Sequence, residues 1–215
     1  MSYTNVPDVR RIANVSSTDF TDAAIEEMIS LAQKEVTSRV QTKVIREPVY
    51  SIDQYRTNAI DGVNKTYFIR NWKGNYLGDF DYDNEIDVDD VKVIQYDSNT
   101  QTETELTPES IDYELCSVTL STAPQSVQLF LTYTYMPFDP LLPDSFLMLA
   151  TTYLAGSYLF IGTDGFDTKF GNVTIKPGKL GGKGEQLFKK YEKLLDQLIS
   201  ISNGGSVWSE MAKVI

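Results

Sequence analysis

Residues 129–155 read LFLTYTYMPFDPLLPDSFLMLATTYLA, and this stretch decides the fold class. In its first part, and just before it, apolar side chains fall on every second position: Val127, Leu129, Leu131, Tyr133 and Tyr135. That is the period of a strand with one face buried. Turn chemistry follows in MPFDPLLPDS, closing the sheet. Pro143 then stands near a helix start, with Asp144 in the first turn, where the helix dipole favours a carboxylate. The helix is expected over 143–162, running to about Ile161 and stopping at Gly162. Apolar nearly all round, it should be a central core helix. Its most apolar part, Phe146 to Ile161, contains Thr151, Thr152 and Ser157 and is too short to cross a bilayer, so no membrane partner is expected. A strand handing over directly to a core helix places the chain in the α+β class.

Upstream, the sheet pattern continues. IDYELCSVTLS alternates through Tyr113, Leu115, Val118 and Leu120, and is separated from SVQLFLTYTY by TAPQ, whose Pro124 suits a turn. VKVIQY, the polar DSNTQ and TETEL predict a hairpin, with Ile86 to Tyr96 as the first long strand. A small antiparallel sheet of four or more strands follows. Residues 44 to 85 are punctuated by Pro48, Gly62, Gly74 and Gly78 and read as a looped insertion holding one or two strands.

On either side of this strand-rich region, 46–138, lie helices. A short one is expected over 7–13, opened by Pro7. A long one is expected over 22–42, where Ile25, Met28, Ile29, Ala32, Val36 and Val40 recur every three or four residues, with Glu26, Glu27, Gln33, Lys34 and Arg39 on a solvated face. The last, over 184–201, gathers Leu187, Phe188, Tyr191, Leu194, Leu195, Leu198 and Ile199 on one side and ends at Asn203-Gly204-Gly205. Before it, FGNVTIKPGKLGGKG reads as a hairpin or mobile loop. The expected architecture is a helical bundle with an inserted small antiparallel β-sheet, forming a single domain over 1–202, followed by an extended C-terminal tail over 203–215.

Composition narrows the chemistry. The 215 residues carry a net charge of -11, which disfavours a surface built to grip phosphates. There is one cysteine, Cys116, and no histidine. Disulfides within the chain, histidine-ligated zinc and every catalytic triad that uses imidazole are thereby excluded. Cys116 has no histidine to activate it and reads as a filler in an alternating strand. The first residues, MSYTNVPDVRR, contain no apolar core of a secretion signal. GKLGGKG is a poor phosphate loop, because Pro177 stands where the first glycine is needed and Gly184 where Ser or Thr should hold magnesium. No catalytic constellation can be named, so no enzyme is expected.

Two stretches remain as candidate sites. In GDFDYDNEIDVDD, residues 78–90, the residues Asp79, Asp81, Asp83, Asp87 and Asp90 fall at the ligand positions of a twelve-residue calcium loop, and Ile86 occupies its hydrophobic position. Asn84 replaces the usual turn glycine and Asp90 the usual bidentate Glu. The flanks are strand-like, which excludes a helix-loop-helix site. An isolated calcium loop and a solvated acidic loop stay open. The second stretch is the tail SVWSEMAKVI, whose Val207, Trp208, Met211, Val214 and Ile215 follow a Gly-Gly break. Such residues either fold back on the domain or dock onto a partner, where Trp is a favoured anchor.

The order of elements carries a likeness. Asp8-Val9-Arg10 opens the chain; Asp22, Ile25, Ile29, Ala32 and Val36 mark the long helix; VKVIQYDSNTQTETELTPESIDYEL and the stretch quoted first complete it. In these the chain resembles the head-to-tail adaptor (connector, head-completion) proteins of long-tailed bacteriophages and related archaeal viruses. The likeness covers most of the chain except residues 46 to 85 and the last dozen. It implies a structural protein of the virion neck, assembled in the host cytoplasm, without catalysis or cofactor. Its partners would be copies of itself in a ring of twelve, the capsid portal protein above, and a tail completion or tail terminator protein below. DNA would pass through the lumen unbound during genome ejection, and the apolar tail residues would clasp the portal. Two alternatives are a calcium-dependent β-rich binding module and a tail completion or terminator protein.

Overall fold

The computed structural model describes residues 2–53, 55–160 and 182–202. It is an α+β fold with antiparallel sheets, in two compact units: Met1–Val40 with Pro143–Ile215, and Gln41–Leu142. The second spans somewhat more chain than the strand-rich region 46–138 expected from sequence.

The first unit contains helices α1 (Val6–Ala13), α2 (Asp22–Val40), α3 (Ser145–Tyr158) and α4 (Gly182–Ser202). Helix α1 begins where the Asn5 side chain accepts the Asp8 N–H, and ends at Asn14 in the left-handed region, φ 47°. The Arg10 guanidinium then donates to the Ser16 and Phe20 carbonyls and to Asp22, fixing the link to α2. In α2 the expected positions Ile25, Ile29, Ala32, Val36 and Val40 are buried. Gln33, expected on the solvated face, is buried instead: its Oε1 accepts the Tyr3 N–H at 2.9 Å. The N-terminal residues fold over α2, and a side chain long enough to satisfy a buried backbone donor is needed there. The helix also ends at Val40, short of 42, because Thr42 already pairs in a strand.

Helix α3 packs against the three other helices, as its apolar composition requires. Asp144 is its N-cap, accepting the Leu147 N–H at 2.8 Å, so the helix starts two residues after Pro143. Its polar residues are buried yet satisfied. Thr151 and Ser157 donate to the Leu147 and Leu154 carbonyls, and the Thr4 and Thr152 hydroxyls meet at 2.7 Å. Gly182, Lys183 and Gly184 belong to α4, two residues earlier than expected, so the end of GKLGGKG is helical. The rest of that segment, and Gly162, lie outside the described residues, as do 203–215. Among the described residues no helix is long and apolar enough to cross a membrane.

The second unit holds strands β1 (Thr42–Pro48), β2 (Thr66–Phe68), β3 (Tyr76–Leu77), β4 (Lys92–Asp97), β5 (Thr102–Leu106), β6 (Pro108–Asp112), β7 (Ser117–Leu120) and β8 (Gln128–Met136). They form two antiparallel sheets, one ordered β1-β8-β4-β5 with β3 also on β8, the other β2-β7-β6. The β4–β5 hairpin is as expected. Three expectations change. Ile86 to Tyr96 is not one strand: a 3₁₀ turn at Val88–Asp90 precedes β4, because Asp87 and Asp90 cap it with their side chains. IDYELCSVTLS breaks at Cys116, φ 53°, into β6 and β7. The expected single antiparallel sheet is two, since β7 and β8, on either side of TAPQ, join different sheets. Tyr67, Ile69, Val93, Val118, Leu129, Leu131 and Tyr133 form the core between these strands.

Gly156 sits inside α3, and a Cβ there would lie 3.4 Å from Leu187 and 3.5 Å from Ala13, ordinary contact distances. Gly156→Ala is therefore expected to raise unfolding stability by about 0.5–1 kcal/mol, the usual cost of glycine in a helix. Gly156→Leu should lower it by more than that, through overpacking. Urea denaturation of both variants checks the pair of signs.

Candidate functional site

The acidic stretch is anchored before it turns. The Gly78 N–H donates to the Thr134 carbonyl of β8 at 3.0 Å. A Cβ at Gly78 would come within 2.8 Å of Gln41 Oε1 and 3.0 Å of Thr134 Oγ1, so a side chain there would push the Gln41 amide aside. Asp79 follows, buried, and its two oxygens accept the backbone N–H groups of Asp83 at 3.1 Å and Asn84 at 2.9 Å. Tyr82 and Asn84 take positive φ, 64° and 73°, which lets the chain coil around that carboxylate. Asp81 accepts from Asp83 N–H and Asp83 from Glu85 N–H. The result brings one oxygen each of Asp79, Asp81 and Asp83 within 4.8 Å of one another, Asp79 buried and the other two exposed. These three carboxylates can supply hard oxygen ligands of the kind calcium takes.

Asp87 and Asp90 do not join that group. Asp87 is the N-cap of the 3₁₀ turn and accepts the Asp89 N–H at 2.8 Å. Asp90 is 2% exposed, and its oxygens accept the N–H groups of Asp87, at 2.8 Å, and of Phe80. It thus closes the loop across its width. Loss of solvent pushes the Asp90 carboxyl up to about 7, with the charges of Asp79 and Asp81 acting in the same direction. Burial raises Asp79 as well, against the backbone donors that favour its ionised form.

Beside the loop lies an open cleft of about 340 Å³, floored by Phe80 and Leu106. Asp81, Asp89 and Glu105 stand around it with one cation, Lys92. The Phe80 ring is also covered by Lys43, whose Nζ is 4.0 Å from the ring centroid. On another stretch of the same unit the Arg56 guanidinium stacks on Trp72, 3.4 Å from the centroid, and Arg70 lies 5.5 Å from the Tyr50 ring. Cys116 is fully buried, and burial pushes its thiol up to about 12, so it is no nucleophile at neutral pH.

The sequence spacing located the three converging carboxylates. It missed the cleft, whose walls come from the acidic loop, β4, β5 and the start of β6; the only sequence signal is the clustering of acidic residues at 78–90 opposite the Glu-bearing TETEL strand. Val207, Trp208, Met211, Val214 and Ile215 lie outside the described residues. Comparison with known protein families, curated proteins and solved structures finds no match for this chain.

Asp90 carries a pH dependence of known sign. In the folded chain it keeps its proton to about pH 7, against an ordinary value of 3.8, so between these the folded state binds more protons than the unfolded one. Its contribution to stability is then full at low pH and declines as pH rises through that window. In chemical denaturation with chelator present, wild type should lose stability relative to Asp90→Asn from pH 4 to pH 7; a constant difference between the two would refute the assignment.

Proposed function

We propose that this chain is a structural adaptor of a virion neck, a helical bundle with its sheet inserted between α2 and α3, assembling as a ring beneath the capsid portal. The observation that carries the reading is the path of the chain. It leaves the helical unit after Val40, builds a sheet unit over Gln41–Leu142 and returns at Pro143 to supply α3 and α4. This is the element order of the adaptor proteins that the sequence resembles. Apolar side chains left in solvent suit a protein that meets others: Met148 and Leu149 on the core helix, and Ile45, 68% exposed, on β1.

In this role the chain has no substrate and no cofactor. Twelve copies would surround a lumen whose net negative charge repels the phosphate backbone, so that DNA slides past without being held. The tail residues Val207, Trp208, Met211, Val214 and Ile215 would dock on the portal protein as an apolar anchor or an added strand. A tail completion or tail terminator protein would meet the opposite end. Electron microscopy of particles labelled on this protein should find a ring at the neck, and its absence there sinks the proposal. Deleting residues 206–215 should abolish portal pull-down while leaving the chain folded; unchanged capture would favour the tail completion or terminator assignment instead.

A second reading, a calcium-dependent β-rich binding module, is favoured by the approach of Asp79, Asp81 and Asp83. Calorimetric titration with Ca²⁺ should then give heat with wild type and none with Asp81→Ala. Silence in both removes it.

A further inference from the structure

Charge is sorted along the sheet unit. Residues 42–73 contain six basic and three acidic side chains, whereas residues 78–90 contain seven acidic and none basic. Most of the basic groups are engaged within the chain. Arg46 pairs with Glu103, Arg56 with Asp53, and Lys65 donates to the Ser121 carbonyl. Arg70 and Lys73 are exposed and, among the described residues, make no ion pair. Arg70 lies over the Tyr50 ring, itself 42% exposed, which makes a flat cationic and aromatic face. The cleft has the opposite character. Asp81, Asp89 and Glu105 line it against the single cation Lys92, and Asp89 and Glu105 make no ion pair among the described residues.

We infer that the cleft between the acidic loop and β5 is the docking site for a second copy of this chain, which inserts its Arg70 and Tyr50 face. A volume of about 340 Å³ is enough for a guanidinium with an aromatic ring beside it. Arg70 gains the carboxylates of Asp89 and Glu105, while the Tyr50 ring lies against Leu106 beside the lysine-covered Phe80 ring. Self-association of a chain with net charge -11 needs such a local reversal of sign, since average surface against average surface repels. The face and the cleft are different surfaces, so the contact is head-to-tail and leaves one of each free on every pair. It therefore propagates, closing into a ring when the rotation per step permits. The inference deepens the ring proposed above and rests on it.

The test is charge exchange on the full-length chain. By sedimentation velocity, wild type should self-associate, and association should weaken as NaCl is raised from about 50 to about 500 mM. Arg70→Glu with Lys73→Glu, and separately Asp89→Lys with Glu105→Lys, should each weaken it at least tenfold. An equimolar mixture of the two double variants should associate again, because each then offers what the other lacks. Thermal melts report whether the variants fold, and the neutral changes Arg70→Gln and Glu105→Gln give the same test with a smaller effect if they do not. A monomeric wild type, association indifferent to both pairs, or a mixture that fails to recover each overturns the docking site. Indifference to both pairs together with a ring at the neck would remove this contact and leave the adaptor reading standing.

Discussion

Nine residues, Gln128–Met136, offer their backbone groups to β1, β4 and β3, while Leu129, Leu131 and Tyr133 turn into the core and Phe130 and Thr132 turn away. A strand with neighbours on both edges cannot slip by one residue without moving every apolar side chain to the wrong face. The register of its partners follows: Val93 faces Leu131, and Thr42 faces Tyr135. So does the acidic loop, because both of its ends are tied to the same strand. Gly78 binds the Thr134 carbonyl at one end, and Lys92 pairs with Thr132 at the other. Fourteen residues of chain from Gly78 to Val91 must therefore fold between two points on one strand.

That constraint explains how so many carboxylates are tolerated together. The loop has few apolar groups to pack, and its backbone donors are satisfied by its own acids. Asp79, Asp83, Asp87 and Asp90 each accept N–H groups from within the segment. Two of these acids are buried, and their raised proton affinity is the cost of that arrangement. The same arrangement concentrates negative charge at one place on the unit, where a cation or a basic surface is the natural complement.

Tyr133 illustrates a second way in which β8 reaches across the unit. It is fully buried, and its hydroxyl donates to Glu47 on β1 at 2.7 Å, while Glu47 also accepts the Arg70 N–H. One carboxylate thus links β1, β8 and the segment after β2. Arg70 owes its position to this link, and Tyr50 lies beside it on the chain leaving β1.

The helices were legible because their burial has a single period: Ile25, Ile29, Ala32, Val36 and Val40 face one way whatever they pack against. The β4–β5 hairpin and the alternation of β8 were legible for the same reason, as were the three carboxylates of the loop, which are close in sequence. What the sequence could not determine depends on partners distant along the chain. Strand β1 is mostly exposed and carries a bulge with Arg46 at φ 55°, so it shows no alternation and exists because β8 offers an edge. The division of β6, β7 and β8 between two sheets and the burial of Gln33 are likewise tertiary outcomes. Local periodicity is written residue by residue, but hydrogen bonds between segments far apart in sequence are chosen only when the whole chain competes for them.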